Sequence, residues 1–171
     1  KRNLLLASGL LSNPSVSNEE VLEAYKQVDE FVIDLGTGQQ ASSIAVETFD
    51  QKKNAKTAGQ NKLLSVDSDL AKIKYISKYA KVYLVKDSHG NVDQIVLPVH
   101  GKGLWSTLYG FLALAPDTRT VKGFGFYEHG ETPGLGGEVD NPRWKNIWKN
   151  KSALDSEYRP QIKLVKGAVT S

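Results

Sequence analysis

The chain has 171 residues, enough for one well-buried domain or for one domain with two lobes, at about residues 1–80 and 81–171. Hydrophobic residues at 40% and charged residues at 24% are ordinary for a soluble globular protein, and a net charge of +3, spread along the chain, argues against nucleic acid as a partner. The absence of cysteine excludes disulfides, zinc–thiolate sites and iron–sulfur clusters, and it leaves the redox compartment open.

Residues 4–11 form a short apolar helix or strand that ends near Asn13-Pro14, with too few apolar residues to span a bilayer. The chain holds no methionine and begins at Lys1, as expected of a processed chain or a fragment. Ser17 and Glu20 have the spacing of a capping box, and Val21, Leu22, Tyr25 and Val28 then recur along one helical face. Residues 31–35 are a short β-like run closed by Gly36-Thr37-Gly38. The segment 36–41 fits the loose dinucleotide pattern, but residues 43–48 read as a strand where that fingerprint needs a helix, so it is a plain turn. Residues 50–62, rich in Lys, Asn and Gln, are expected to be a mobile loop, with Lys52, Lys53 and Lys56 as solvated charges. Residues 82–85 and 95–99 flank Asp87-Ser88-His89-Gly90-Asn91, a hairpin signal. Residues 108–114 and 121–127 flank Ala115-Pro116-Asp117-Thr118, a second strand–turn–strand pattern. Asn141-Pro142 opens a short helix that carries Trp144, Ile147 and Trp148 on one face, and residues 161–165 are a last strand. Strands at the centre and helices to both sides give an α+β fold, with a central antiparallel-rich sheet flanked by helices.

His89, His100 and His129 have no metal-ligand spacing among them, so no metal site is expected. Glu128, Glu131 and Glu138 could supply paired carboxylates for hydrolysis, although surface carboxylates are the plainer reading. Two segments stand out. Gly101-Lys102-Gly103-Leu104-Trp105-Ser106-Thr107-Leu108-Tyr109-Gly110 sets glycines around a tryptophan, hydroxyls and a tyrosine. Gly130-Glu131-Thr132-Pro133-Gly134-Leu135-Gly136-Gly137 combines glycines with a carboxylate and a hydroxyl. Together they offer flat apolar surface, hydroxyl donors and close backbone approach, which is how a planar heteroaromatic cofactor is held.

These two segments, with Phe126-Tyr127-Glu128-His129 and Asn141-Pro142-Arg143-Trp144, resemble one family: the extracytoplasmic FMN-binding domain of the C subunit of the sodium-translocating NADH:quinone reductase. The related G subunit of the Rnf electron-transport complex shares the Glu-Thr-Pro-Gly-Leu-Gly core. The resemblance implies a flavoprotein subunit that carries covalently bound FMN and passes electrons from NADH towards quinone, coupled to sodium-ion transport. Carried over by position, Glu131, Thr132, Gly134, Leu135 and Gly136 face the isoalloxazine ring, with Trp105, Ser106 and Thr107 nearby. Lys102 stands close enough in the motif to place a positive charge by the ring. No side chain is given a catalytic, bond-making role. The other subunits of a membrane respiratory complex are the implied partners. The implied setting is the bacterial inner membrane, with the domain on the periplasmic side and an N-terminal membrane helix upstream of a segment resembling residues 3–10.

The family attaches FMN to a threonine in a motif that reads roughly Asp-Gly-x-Ser-Gly-Ala-Thr, then Thr-Ser. This chain ends Lys166-Gly167-Ala168-Val169-Thr170-Ser171, which lacks that motif, so the acceptor is expected beyond Ser171, with Thr170 the weaker candidate. The isolated fragment is accordingly expected to be inactive as an enzyme. Alternative readings are the flavin-binding subunit of an Rnf-type complex, a membrane-linked flavin sensory domain, and an extracytoplasmic hydrolase using Glu128 or Glu131.

Overall fold

The computed structural model describes residues 1–162 of the chain. In chain order its elements are α1 (Arg2–Ser8), α2 (Asn18–Tyr25), β1 (Val28–Asp34), α3 (Gln51–Lys56), β2 (Asn61–Leu63), β3 (Tyr75–Ser77), β4 (Tyr79–Lys86), β5 (Val92–Lys102), β6 (Thr107–Leu114), β7 (Val121–Glu128), a 3₁₀ turn (Gly136–Asp140) and α4 (Pro142–Asn146). The main sheet has five strands in the order β1-β4-β5-β6-β7, and every pairing in it is antiparallel. Strand β1, from the first eighty residues, is hydrogen-bonded along β4, so this sheet runs across the suggested lobe boundary. The α+β architecture is the expected one.

Successive side chains of a strand point to opposite faces, and the core divides accordingly. Val85, Val96 and Ala113 turn to one face, where Leu4 and Leu5 of α1 and Val21 of α2 cover them. Their chain neighbours Leu97 and Leu112 turn to the other face, towards Trp144, Trp148 and Ala153. Val85 and Val96 have no exposed surface, and burying a side chain of that size contributes about 1.5–3 kcal/mol. Helix α1 ends at Gly9, whose φ of 76° is the left-handed cap that favours glycine. It lies so close to β7 that a Cβ at Gly123 would sit 2.0 Å from the Ala7 carbonyl oxygen.

The turns follow their sequence chemistry. Asp87 accepts hydrogen bonds from the amides of His89 and Asn91, both at 2.9 Å, which closes β4 onto β5. Asp117 accepts from the amides of Arg119 and Thr120, both at 2.8 Å, at the β6–β7 turn. The Ser17–Glu20 capping box is present at α2, and Asn141 caps α4 with Pro142 as its first residue. Residues 36–41 form a turn, in which Asp34 accepts from the amides of Gly36 and Thr37.

Several expectations are corrected. Val28 begins β1 rather than continuing α2, and Leu22 is exposed. Residues 43–48 are not a strand: the amides of Ile44 and Thr48 bond to the carbonyls of Ala41 and Ala45 in local turns. Residues 50–62 are not a featureless loop but hold helix α3, capped by Asp50, and strand β2, paired to β3. Long-range anchors explain this order. Gln51 Oε1 accepts from the Lys81 amide at 2.9 Å, and Lys52 reaches the end of β7. Trp148 is buried but Ile147 is exposed, so these two do not share the single face expected of them, and both lie beyond α4, which stops at Asn146. Gln161 and Ile162 are not in a strand, and the rest of the expected last strand lies outside the described residues.

Candidate functional site

Strands β5 and β6 are joined by the tight turn 103–106, with Lys102 paired to Thr107 and the Gly103 amide bonded to the Ser106 carbonyl at 2.7 Å. Tyr109 is paired to Glu128, so β7 delivers residues 129–137 to the same end of the sheet. Sheet register alone thus brings together the two segments picked out in the sequence.

Glu131 locks them. Its carboxylate accepts from the Ser106 hydroxyl at 2.8 Å and from the amides of Ser106 at 3.0 Å and of Trp105 and Leu104 at 3.2 Å each. Three successive amides aimed at one carboxylate form an anion nest. The Ser106 hydroxyl oxygen also accepts from the Gly130 amide at 2.8 Å, which closes the link from both sides. Glu131 is only 9% exposed. Burial by itself raises its pKa, but the hydrogen bonds from Ser106, Trp105 and Leu104 prevail and hold it below the usual carboxylate value. Gly103 is required here, since a Cβ on it would lie 2.5 Å from Glu131 Oε1.

The other predicted residues fall around this lock. Trp105 is 70% exposed and Leu135 is 73% exposed, with Leu104 beside Trp105 exposed as well. Thr132, Gly134 and Gly136 are exposed. The Thr132 carbonyl accepts from the amides of Leu135 at 3.1 Å and Gly137 at 2.9 Å, and Gly134 takes a φ of 74°. That turn pushes Leu135 outward. Ser106 and Thr107 are half-buried. Of the residues assigned to the ring face, Glu131 is the one whose side chain is turned inward, onto the 104–106 amides. The Thr170 acceptor assignment lies outside the described residues.

An apolar cleft of about 510 Å³ opens beside the lock, with walls that include Leu108, Phe124, Phe126 and Trp144. Trp148 also lines it and keeps a buried indole N–H without an acceptor among the described residues. An exposed indole, two exposed leucines and an apolar cleft suit the ring system of a flavin.

Sequence reasoning missed two participants. Lys52 sits 3.7 Å from the centre of the Tyr109 ring and 2.6 Å from Glu128, so α3 is fastened to β7 just ahead of the second loop. The solvated lysine of the sequence reading is therefore a clasp. His129 bonds Asp140 through Nε2 at 2.9 Å and accepts the Glu131 amide through Nδ1 at 3.2 Å. No spacing rule announces either contact. Glu128 is engaged by Lys52 and Glu131 by four donors, so neither carboxylate named for the hydrolase reading is without partners. Among the described residues no group of three or more His, Asp or Glu could hold a metal, and no helix is long and apolar enough to cross a membrane.

Residues 103–169 match the FMN-binding domain family. The chain is 44% identical over 170 residues to the C subunit of the Na(+)-translocating NADH-quinone reductase of Pseudomonas aeruginosa, an alignment that covers 99% of this chain and 65% of that protein. With the corresponding protein of Pasteurella multocida it shares 40% identity, over 98% of this chain and 64% of the relative. The chain thus spans just under two thirds of the length of these curated relatives. Its fold superposes on the crystal structure of Shewanella oneidensis NqrC with a TM-score of 0.87 at 38% identity, over 99% of this chain and 76% of that one. The chain belongs to the family formed by the C subunits of Na(+)-translocating NADH-quinone reductases.

Proposed function

We propose that this chain is the flavin-carrying domain of such a protein and holds FMN against the two locked loops while electrons pass between partner subunits, from NADH towards quinone. The observation that carries this reading is the Glu131 lock. It commits the one buried carboxylate of the site to three loop amides and leaves Trp105, Leu135 and Leu104 facing outward. FMN supplies the redox chemistry when bound. The chain's own groups bind and orient: Trp105 and Leu135 offer surface to the ring faces, while Thr132 and the backbone around Gly134 and Gly136 lie open to its polar edge. Lys102, exposed at the end of β5, supplies positive charge near this surface. The setting that follows is a membrane respiratory complex, with the domain on the periplasmic side.

Titration of the chain with FMN, followed through tryptophan fluorescence and amide shifts, tests the site. Saturable quenching is expected, with shifts confined to residues 103–107 and 130–137. The absence of both at millimolar FMN would overturn the site. In the full-length protein, replacing Thr132 and Leu135 together by alanine should lower flavin occupancy or move its potential; an unchanged visible spectrum and potential would count against the assignment.

A further inference from the structure

The segment 131–140 is held at both ends by one imidazole. His129 Nε2 lies 2.9 Å from Asp140 Oδ2, at the end of the 3₁₀ turn, and its Nδ1 lies 3.2 Å from the Glu131 amide, at the start of the loop. The ring is nearly enclosed, with 13% of its side chain exposed. An amide can only donate, so Nδ1 must carry the lone pair and Nε2 the proton given to Asp140. The tautomer is therefore fixed by the backbone on one side and by a carboxylate on the other.

From this geometry we propose that His129 is a positioning residue for the flavin site, acting through the amide of Glu131. The inference rests on the flavin reading of the loops, but its first test does not need flavin. The linkage has two steps. His129 holds the Glu131 backbone; Glu131 then holds the amides of Leu104, Trp105 and Ser106. One imidazole thus sets the place of Leu135 on one loop and of Trp105 on the other.

The arrangement works only in the neutral ring. A second proton at Nδ1 would point an N–H at the Glu131 N–H, and the bond between them would be lost. Of the charged groups around the ring, Asp140 accepts from Nε2, and Lys145 lies 3.7 Å from the other oxygen of Asp140. The Glu131 carboxylate is turned to the 104–106 amides, and Glu128 is occupied by Lys52. Loop order therefore depends on an acceptor at the Nδ1 position of residue 129.

Two substitutions separate the halves of the contact. Asn places an oxygen near the position of Nδ1 and cannot reach Asp140. Gln places its terminal group near Nε2 and has nothing at Nδ1. In the flavin-free chain, the NMR shift of the Glu131 amide should stay close to the parent's in His129→Asn, whereas in His129→Gln it should be displaced. In FMN titrations of the same proteins, His129→Gln should bind about tenfold more weakly and His129→Asn should stay within about threefold of the parent. A Glu131 amide unmoved in His129→Gln, or a parent ring found protonated at Nδ1 in its neutral state, would overturn the positioning role. If no protein in the set binds FMN, the flavin reading fails while the amide shifts of the variants still decide the role of His129.

Discussion

Replacing Gly103 by alanine tests the lock at its tightest point. The new Cβ would stand 2.4 Å from Leu108 Cδ1 and 2.5 Å from Glu131 Oε1, where ordinary contact begins at 3.4 Å. The leucine methyl can swing aside. The carboxylate must retreat by about 0.9 Å, and it is held by the donors it would be leaving. A retreat of that size takes the 2.8 Å bond from the Ser106 hydroxyl out of hydrogen-bonding range and weakens the three amide bonds with it. Overpacking of this kind costs about 1–3 kcal/mol. Two neighbouring glycines serve as controls. A Cβ at Gly130 meets Ser106 Cβ at an ordinary 3.5 Å, so Gly130→Ala should be close to neutral. Gly134→Ala has open space but a φ of 74°, so it should lose about 1 kcal/mol from backbone strain alone. Urea unfolding ranks the three, and the amide shifts of residues 104–106 report the lock directly. A Gly103→Ala protein as stable as the parent, with those amides unmoved, would refute the claim that the carboxylate is confined.

Trp105→Ala removes a side chain that is 70% exposed and should change stability by less than about 0.5 kcal/mol. FMN affinity should nonetheless fall severalfold, and unaltered binding would remove Trp105 from the site. Lys52→Met keeps the stem but deletes the charge over Tyr109 and beside Glu128, for a loss of about 1 kcal/mol that shrinks in high salt. Melting temperatures equal to the parent's at low salt would show that the clasp carries nothing. Asp93 is held below the usual carboxylate value by hydrogen bonds from Lys122, with burial opposing. A depressed acid stabilises the fold fully above its unfolded value of about 3.9 and loses that contribution as the pH falls through its folded value. Stability curves of the parent and Asp93→Asn should therefore converge below about pH 4, and curves that stay parallel would contradict the pairing.

What could be read from the sequence was what neighbouring residues decide. The Ser17–Glu20 box, the Asp87 and Asp117 turns and the Asn141-Pro142 cap each rest on bonds spanning a few residues, and each is present. The two loop segments were legible because glycine, hydroxyl and aromatic residues are unusual at such density. Their joining was not, since Glu131 lies 25 residues from Ser106 and only the β6–β7 register brings them together. The segment 50–62 misled for the same reason. Its lysines look solvated, yet Lys52 finds its partner 76 residues away. Residues 43–48 failed on the opposite count: β-branched composition suggested a strand, but no neighbouring strand offers them a ladder, and local turns take up their amides.

The inward turn of Glu131 also bears on what kind of site this is. An acid or base catalyst needs a group whose proton can leave and return, and its environment is arranged to bring the pKa towards the working pH. Here the arrangement runs the other way. Four donors converge on the carboxylate and hold its pKa down, so it stays an anion and an acceptor. What the site presents outward is an indole, a leucine, a threonine and glycine backbone, none of which titrates near neutral pH. A surface of that composition is suited to fixing a planar redox group. For an electron carrier, rigidity around the cofactor is the useful property, because a preorganised environment need not rearrange when charge arrives. In the proposed flavin site, loops clamped by a carboxylate that four donors hold towards its ionised form meet that requirement.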